Sequence, residues 1–390
     1  MYAFDPSEKG MIFKMKKILI LYAKYGGGHL SAANAINTYI KENYSDIADV
    51  KNIDCIEFIS PFFSKASTGA YTKIVQKAPK LWKKLYYGAR NNFISPISTR
   101  LNKVMSKKLS KLFKEYSPDI VISVHPFASQ MSNILKKKGL NCTLATVFTD
   151  FATHPQWLVG NEYCDYFFVS NANMKLDLIN NYSVPENKIF VVGIPLAPAF
   201  SLPIDDNATY EKYNLNRDKK LILFFGGGEF GLCQKVTIQL LKSLTKFMYE
   251  YQIVAISGKN EELHNKFLEI SNDLNNNDLH VLSYTTDVPA LMHISSLVVT
   301  KPGGLTSSES LASHLPIIII NPIPGQEEEN AEFLENSGVA VWAKTNDDID
   351  TIIDKILRDG HELEIMREKC VSVAKPHATR DICEILLNTK

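Results

Sequence analysis

Short apolar runs alternate with helical patterns along almost the whole chain, and this alternation predicts a parallel α/β architecture. Residues 317–320, four isoleucines in succession, are typical of a strand that is buried on both faces. The predicted strands are residues 17–23, 120–124, 143–148, 166–169 and 189–192 in the first half, and 221–225, 252–257, 281–282, 297–300, 317–320 and 339–342 in the second. The pattern thus indicates an α/β fold in both halves.

Two stretches of the chain, starting near residues 17 and 220, repeat one pattern of strand, triple-glycine loop and helix. A nucleotide-binding α/β unit begins in this way, so the chain predicts two Rossmann-like domains that face each other across a cleft. The boundary is expected in the proline-containing residues 193–207. We expect a tail at residues 1–14 and a first domain at residues 15–200 that binds the acceptor and the membrane. A second domain at residues 201–375 is expected to bind the donor. A C-terminal helix at residues 376–390 is expected to pack back on the first domain.

The first glycine loop is followed by a histidine, His29, and by a helix predicted over residues 31–44. Glycines let a ligand approach the main chain, and a helix N-terminus directs unpaired N–H groups toward an anion. A neutral imidazole can take a proton from a hydroxyl near physiological pH. From these residues alone, a tight turn with a histidine that caps the helix is the alternative.

A second candidate site lies at residues 300–308, where the end of a strand is followed by two glycines and then by a helix N-terminus with three hydroxyl side chains at residues 306–308. This combination suits a diphosphate. Glu309 follows in the first turn, where a carboxylate either accepts the hydroxyls of a ribose or only stabilises the helix dipole. The second triple-glycine loop, residues 226–228, either receives a phosphate-bearing donor or forms a structural turn.

Amide and carboxylate side chains gather where a later strand turns into a helix. Gln326, Glu327 and Asn330 have donors and acceptors that suit the hydroxyls of a sugar. The start of a solvated acidic helix would have the same composition, so these residues leave both interpretations open.

Composition limits the class of protein. With 45% hydrophobic and 22% charged residues, the chain is typical of a globular protein. No apolar run approaches the ~18 residues of a membrane-spanning helix. The six cysteines are scattered without a C-x-x-C pair, which predicts neither a disulfide framework nor a zinc site. A reducing compartment, the cytoplasm, is therefore expected.

Charge is distributed unevenly along the chain. Residues 65–114 hold thirteen lysines and arginines and no acidic residue, so the overall charge of +1 leaves −12 for the rest. Aromatic residues are interleaved with these lysines. Residues 80–84 and 103–114 are predicted to form amphipathic helices. Apolar residues recur at helical spacing in and next to the second helix, at Leu101, Val104, Leu109 and Leu112. This combination indicates an anionic membrane surface as a partner, and the alternative is a basic solvated face. The residues expected at the acceptor or the membrane are Trp82, Lys103, Lys107, Lys108 and Lys111. No nucleic-acid-binding motif accompanies the charge, so nucleic acid is not expected as a partner.

Several segments together resemble a family of glycosyltransferases that make membrane glycolipids, namely "YGGGHLSAANAI", "TDFATHPQW", "VVGIP", "GGGEFG", "KPGGLTSSESLASHLPIIIINPIPGQEEEN" and "ENSG". The family includes the monogalactosyldiacylglycerol synthases and the processive diacylglycerol glucosyltransferases of Gram-positive bacteria. The peptidoglycan enzyme that adds N-acetylglucosamine to lipid I is a more distant relative. The resemblance covers residues 15–385 and implies the GT-B fold, a UDP-sugar donor and inversion at the sugar carbon, without a catalytic metal or another cofactor. The GGTGGH loop of the lipid I enzyme is absent, which favours the diacylglycerol branch.

The resemblance also implies roles for individual residues. His29 would be the base that activates the acceptor hydroxyl, and Asp150 would share the catalytic site. His154, from the same segment as Asp150, would face the acceptor. Glu309 would hold the uridine ribose. The residues expected to bind the donor are Gly28, Gly227, Gly228, Gly303, Gly304, Leu305, Thr306, Glu309, Gln326, Glu327 and Asn330, with Asn330 supporting Gln326 and Glu327 at the sugar.

These observations predict an enzyme at the inner face of the cell membrane that moves a hexose from a UDP-sugar to the 3-hydroxyl of diacylglycerol. Glucose is the first choice of sugar and galactose the second. Transfer of N-acetylglucosamine to a polyprenyl-linked acceptor stays open, as does a non-catalytic UDP-sugar-binding protein on the same scaffold. The presence of both His29 and Glu309 argues against the latter, because a sensor requires the donor site but not the base.

Overall fold

The computed structural model describes residues 15–90, 95–227, 234–274, 276–344, 349–358 and 360–388. The predicted tail at residues 1–14 and the predicted donor residue Gly228 lie outside the described residues. Strands of the first half are β1 Lys16–Tyr22, β2 Ala48–Asp54, β3 Ile120–Ser123, β4 Thr143–Val147, β5 Tyr166–Val169 and β6 Ile189–Val191. Strands of the second half are β7 Lys220–Phe225, β8 Tyr251–Ile256, β9 Leu279–Leu282, β10 Leu297–Thr300, β11 Ile317–Ile319 and β12 Ala340–Trp342.

The helices lie between and after these strands. Those of the first half are α1 Gly28–Asn43, α2 Cys55–Ile59, α3 Pro61–Lys77, α4 Pro79–Arg90, α5 Ser95–Tyr116, α6 Pro126–Lys137 and α7 Ala172–Tyr182. Those of the second half are α8 Asp206–Lys212, α9 Gln234–Thr245, α10 Glu261–Leu274, α11 Val288–His293, α12 Gly304–Ala312, α13 Gln326–Asn336, α14 Ile349–Leu357, α15 His361–Val373 and α16 Ala378–Leu387.

The strands form two parallel six-stranded sheets, ordered β2-β1-β3-β4-β5-β6 and β12-β11-β10-β7-β8-β9. Read from its other edge, the second sheet has the 3-2-1-4-5-6 order of a Rossmann fold. The predicted α/β fold with two Rossmann-like sheets is confirmed. Residues 193–219, which contain no strand, connect the sheets, and the boundary predicted after residue 200 lies within this connection.

Both faces of each sheet are buried, which explains the continuous apolar runs of the sequence. Along β1, Leu19 and Leu21 face a core that includes α5 and α6, whereas Ile18 and Ile20 face a core with α1 and α16. Along β7, Ile222 and Leu223 likewise belong to opposite cores. Because α16 contributes to a core of the first sheet, the end of the chain packs against the first half.

Three differences from the sequence-based prediction concern element boundaries and faces. Strand β2 was missed, because its sequence "ADVKNID" alternates polar with apolar residues at the edge of the sheet. Helix α1 begins at Gly28 rather than at residue 31, so His29 lies in its first turn. The apolar side of α5 packs Leu109 and Leu112 into the core of the first half, and only Val104 of the described apolar positions is exposed.

Among the described residues, no helix combines the length and the apolar character needed to cross a bilayer.

Candidate functional site

The candidate loops lie where the strand order of each sheet reverses. In the first sheet this point is between β1 and β3, which are followed by His29 and by Val124. In the second sheet it is between β7 and β10, which are followed by Gly227 and by Gly303 and Gly304. Open α/β sheets bind their ligands at such switch points. The positions of the two glycine loops are therefore those of ligand-binding loops.

Two helix N-termini meet across the cleft between the sheets. Helix α1 follows Gly27 and α12 follows Gly303, and neither helix has a side chain that caps its first N–H groups. A Cβ atom placed on Gly28 would lie 3.8 Å from the Cβ of Leu305, so the two helix ends are close neighbours. Each N-terminus carries about half a positive charge. Together they form a place for an anion such as a diphosphate.

His29 is half-buried and is held by a backbone carbonyl. Its Nδ1 lies 2.8 Å from the carbonyl oxygen of Val124 and 3.0 Å from Oγ1 of Thr149. Because a carbonyl oxygen can only accept, the Nδ1 must carry the proton, which leaves the Nε2 lone pair available. Burial lowers the pKa of His29 to about 4, partly offset by the bond to Val124. His29 is therefore neutral at physiological pH and presents an unprotonated Nε2.

Two other histidines near His29 have the opposite tautomer. The Nδ1 of His125 accepts the N–H of Phe127 at 3.1 Å, and the Nδ1 of His154 accepts the N–H of Gln156 at 3.2 Å. A neutral imidazole with an accepting Nδ1 carries its proton on Nε2. His125 lies with its ring 4.6 Å from that of His29. Of the three, His29 alone offers an unprotonated Nε2.

Thr306 lies in the first turn of α12, and Glu309 follows three residues later in the same helix. Both side chains are partly exposed. Burial raises the pKa of the Glu309 carboxyl to about 7. No hydrogen bond or ion pair is found between this carboxyl and any described side chain. Donors from a ligand, such as ribose hydroxyls, would therefore stabilise its ionised form.

Asp150 joins the two halves of the molecule. Its Oδ2 accepts from Nε2 of Gln326 at 2.6 Å, and its Oδ1 accepts from Nδ2 of Asn330 at 3.1 Å. Asn330 is completely buried; it also donates to the carbonyl of Pro302 and accepts the N–H of Phe151. Burial raises the pKa of Asp150, whereas these two amides lower it. The side-chain amide of Asn330 thus uses both its oxygen and its nitrogen to connect the segment of Asp150 and Phe151 with that of Pro302. Gln326 uses one N–H of its side chain on Asp150.

Glu327 lies at the base of α13, close to the α12 N-terminus. Its Oε2 accepts the N–H of Ile323 at 2.6 Å, and its Oε1 lies 3.9 Å from the position of a Cβ on Gly303. Burial raises the pKa of Glu327, and the charge of Lys301 and the bond from Ile323 oppose this shift. The second oxygen of Glu327 is thus directed toward the glycines at the start of α12.

Helix α4 of the first half contacts α13 of the second. The hydroxyl of Tyr86 donates to Glu329 at 3.0 Å, and Lys83 forms an ion pair with Glu328 at 2.9 Å. The ring of Tyr86 lies against Gly325, where a Cβ would come within 2.6 Å of it and where φ is +93°. The ring of Tyr86 also contacts the His154 ring, with centroids 4.4 Å apart. These contacts fix α4 over the cleft.

A cavity of about 520 Å³ opens beside His29 and lies within the size range of small-molecule sites. Asp150, His154, Gln326 and Asn330 line it with His29. The rest of its wall is mostly apolar or aromatic. It comes largely from α3 and α4, with further residues from α2, α5, α6 and the loops after β1 and β4, and includes Tyr25, Tyr71, Ile74, Trp82, Leu85, Phe127 and Trp157. Trp82, predicted at the acceptor or the membrane, lies half-buried in this wall. The basic side chain His29 thus borders an apolar space.

The predicted basic residues of α5 lie on its outer side. Lys103, Lys107, Lys108 and Lys111 are exposed. Lys108 donates to the carbonyl of Ile59 at 3.3 Å, and Lys111 is 3.8 Å from Glu115. Exposed apolar side chains occur in the same region, with Phe62 of α3 exposed by 85%, Val104 of α5 by 66% and Leu81 of α4 by 50%. Exposed lysines of α5 and exposed apolar groups of α3, α4 and α5 therefore lie on helices that also contribute residues to the cavity wall.

Comparisons with known proteins show the family to which the chain belongs. The family model described as monogalactosyldiacylglycerol (MGDG) synthase matches residues 29–196, and the model described as glycosyl transferases group 1 matches residues 205–375. A processive diacylglycerol beta-glucosyltransferase of Bacillus cereus (strain G9842) is 30% identical over 376 residues, 96% of this chain and 94% of the relative.

Solved structures show the same fold at lower sequence identity. MurG of Acinetobacter baumannii superposes with a TM-score of 0.63 at 13% identity, over 96% of this chain and 100% of that chain. MnaA of S. aureus, solved with UDP, has a TM-score of 0.61 at 15% identity, over 96% and 99% of the two chains. These similarities concern the fold.

Two Rossmann-like sheets, with glycine loops that meet in the cleft, give the chain the GT-B fold, and the family matches make it a glycosyltransferase. The chain belongs to the family of the monogalactosyldiacylglycerol synthases and processive diacylglycerol glucosyltransferases. The predictions of fold class, family and glycosyltransferase activity are thereby confirmed. The roles of individual residues stay predictions.

Several residues of the site were missed by the sequence analysis. Val124 contributes only its backbone carbonyl, which leaves no signal in a side-chain pattern. Tyr86 was apparent only as one aromatic residue among lysines. His125 could have been found, because it follows β3 at the point where the strand order reverses.

Proposed function

We propose that the protein transfers a hexose, with glucose as the first choice, from a UDP-sugar to the 3-hydroxyl of diacylglycerol with inversion at the sugar carbon. The observation that carries this proposal is the position of His29. Its basic nitrogen is fixed by the Val124 carbonyl and lies at the border of an apolar cavity. A base beside an apolar space suits an acceptor that has a hydroxyl on a lipid.

The donor is proposed to lie across the facing N-termini of α1 and α12. Their uncapped N–H groups and the hydroxyl of Thr306 would bind the diphosphate. Glu309 would accept the hydroxyls of the ribose. Gln326 and Glu327, at the start of α13, would contact the sugar and place its reacting carbon next to the cavity.

The reaction follows from these positions as a single displacement. The Nε2 of His29 takes the proton of the acceptor hydroxyl while the acceptor oxygen attacks the sugar carbon on the face opposite UDP. The bond between that carbon and the diphosphate oxygen breaks, and UDP leaves with the electron pair. The N-terminus of α12 stabilises the negative charge of the leaving group, so the proposed reaction requires no metal. His29 then releases its proton to solvent, which its low pKa favours.

Because diacylglycerol stays in the bilayer, the protein is proposed to act at an anionic membrane surface. The exposed side chain of Phe62 would enter the interface, and the lysines of α5 would lie near the lipid headgroups. Each basic residue near such a surface contributes about 1 kcal/mol. The cavity would then open toward the membrane.

Product analysis tests the proposed function. The protein is incubated with vesicles that contain either diacylglycerol or a polyprenyl-linked acceptor, in separate reactions with UDP-glucose, UDP-galactose or UDP-N-acetylglucosamine, and the lipid products are identified. We expect a glucosyl lipid bonded at the 3-hydroxyl in the inverted configuration. A product only from UDP-N-acetylglucosamine and a polyprenyl-linked acceptor would replace this proposal with the alternative. UDP-sugar binding without any product would indicate the non-catalytic scaffold.

The affinity for the donor is expected to depend on pH through Glu309. Ribose hydroxyls donate to the ionised carboxyl, so binding should favour the form that predominates above its pKa of about 7. Affinity for UDP-glucose should rise about tenfold from one pH unit below that value to one unit above it. Calorimetry on Glu309→Gln is the matched control, and we expect a flat profile with roughly tenfold weaker binding at the higher pH. An equal pH profile in both proteins would remove Glu309 from the ribose site.

Membrane binding is expected to depend on the lysines of α5. Lys103, Lys107 and Lys111 are exposed, so we expect their replacement by glutamine to weaken sedimentation with anionic vesicles and to affect zwitterionic vesicles little. Salt should have the same effect, because it screens the attraction. The control replaces three exposed lysines of the second half, Lys235, Lys242 and Lys246, and should bind normally. Binding that ignores salt and the α5 lysines would make this surface a solvated face.

A further inference from the structure

We propose that the apolar part of the cavity is a binding site for an acyl chain of the acceptor, with α3 as one wall. This inference rests on the proposed function and assigns to α3 and to the aromatic residues beside His29 the task of holding lipid outside the bilayer.

Helix α3 directs one face into the cavity. Phe63, Ser67, Ala70, Tyr71 and Ile74 line the cavity and follow the spacing of a single helix face. Val75 is the only residue of this 17-residue helix that is fully buried. An amphipathic helix normally packs its apolar face against a core. Here that face borders an open cavity, so a ligand of matching apolar character would bury it.

Aromatic rings connect the reactive end of the cavity with α3. The ring of His29 contacts that of His125, whose ring stacks on Tyr25 at 5.4 Å. Tyr25 contacts Tyr71 of α3 at 5.9 Å, and Tyr71 contacts Trp82 of α4 at 5.0 Å. The wall is therefore continuous from the base to α4. A chain that extends along it would keep the attached glycerol next to His29.

The same cavity reaches the outer surface. Phe63 and Leu85 line it and are also exposed, by 36% and 38%. The strongly exposed Phe62 is the neighbour of Phe63 in sequence, and Leu81 lies one helical turn from Leu85. An apolar path thus leads from the surface proposed to meet the membrane to the interior of the cavity.

The reaction requires an apolar environment for the acyl chains on the way from the bilayer to His29. The hydroxyl of diacylglycerol lies at the bilayer surface, whereas His29 lies at the inner end of the aromatic wall. To reach His29, the lipid must raise part of its acyl chains out of the bilayer. Each methylene group transferred to water would reduce the population of the reactive state about fourfold. Lipid tails and apolar side chains are similar environments, so the cavity removes this penalty.

The test fills the cavity from α3 without changing the reacting groups. Ala66 and Ala70 are both exposed residues of α3, but only Ala70 lines the cavity, so Ala70→Phe places a benzyl group at the cavity wall and Ala66→Phe places the same group outside it. Transfer to dioctanoylglycerol and to dipalmitoylglycerol is measured in the same detergent micelles, with UDP binding as the control for folding. We expect Ala70→Phe to lower kcat/KM at least tenfold for the long-chain acceptor and less than threefold for the short one. Ala66→Phe should match the unchanged protein.

A second readout locates the chain without reference to turnover. A diacylglycerol with brominated acyl chains should quench the fluorescence of Trp82 and Trp157, which both line the cavity. The quenching should be lost in Ala70→Phe and retained in Ala66→Phe. Two results would overturn the acyl-chain site and leave the proposed function standing. One is equally fast transfer to both acceptors in Ala70→Phe, and the other is equal quenching in all three proteins. Absence of transfer to any diacylglycerol would overturn the proposed function, and absence of quenching would then separately overturn the acyl-chain site.

Discussion

Replacement of His29 by alanine is expected to lower kcat by about 10² to 10⁴-fold while the affinity for UDP stays unchanged. The reason is the tautomer that Val124 imposes, since the protonated Nδ1 leaves Nε2 as the basic atom. The variant removes this atom and leaves the N-termini of α1 and α12 in place. Steady-state kinetics with dioctanoylglycerol, together with calorimetry for UDP, measures both parts of the prediction.

His154→Ala is the matched control for this variant. His154 lines the same cavity, but its Nδ1 accepts the N–H of Gln156, so its Nε2 is protonated. We expect a smaller loss of kcat than for His29→Ala. Near-normal turnover in His29→Ala would instead assign the base to His154 or to Asp150.

The pH dependence of kcat/KM should also distinguish the two titratable groups. With a pKa of about 4, His29 stays neutral down to about pH 5, so a loss of kcat/KM as the pH falls through 7 would come from protonation of Glu309.

Replacement of Gly304 by alanine is expected to lower kcat by about 10²-fold. A Cβ at this position would lie 2.0 Å from the carbonyl oxygen of Thr149, where no side-chain atom fits. Gly304 starts α12 in the second half and Thr149 follows β4 in the first, so relief of the contact must displace the two halves by about 1 Å. Misplacement of reacting groups by this distance can cost about 10²-fold in rate.

Binding of UDP separates this effect from unfolding. Of the proposed contacts to UDP, the α12 N-terminus, Thr306 and Glu309 belong to the second half and stay together when the halves shift, so the affinity for UDP should change less than kcat in Gly304→Ala. Gly69→Ala in α3 is the control, because a Cβ at Gly69 meets no atom within 4 Å. We expect this control to keep its activity. Full activity in Gly304→Ala would show that the contact with Thr149 is not required during catalysis.

Much of the fold could be predicted because its strands are buried on both faces. The run of isoleucines in β11 and the two strand–glycine–helix repeats have no other simple interpretation. Strand β2 was missed because several of its residues are exposed. An edge strand such as Ala48–Asp54 therefore contains fewer apolar residues than a central strand. The amphipathic pattern of α5 was recognised, but its apolar side packs on the core, which periodicity alone cannot distinguish from contact with a membrane.

The candidate site shows a similar division. His29 and the glycines at the start of α12 were identifiable because their chemistry is specific to the residue type. The proton position on His29 depends on a backbone carbonyl, and the position of α4 depends on the contact of Tyr86 with Gly325. Such contacts join segments far apart in the sequence, so no local pattern contains them.

The central claim is that the acceptor hydroxyl is activated by His29 in the cavity between the two halves. A crystal structure of the protein with UDP and dioctanoylglycerol tests it most directly. We expect the free hydroxyl oxygen within about 2.6 to 3.2 Å of the Nε2 of His29, with the diphosphate at the α12 N-terminus. A hydroxyl that contacts His154 or Asp150 instead, or a lipid bound outside the cavity, would contradict it.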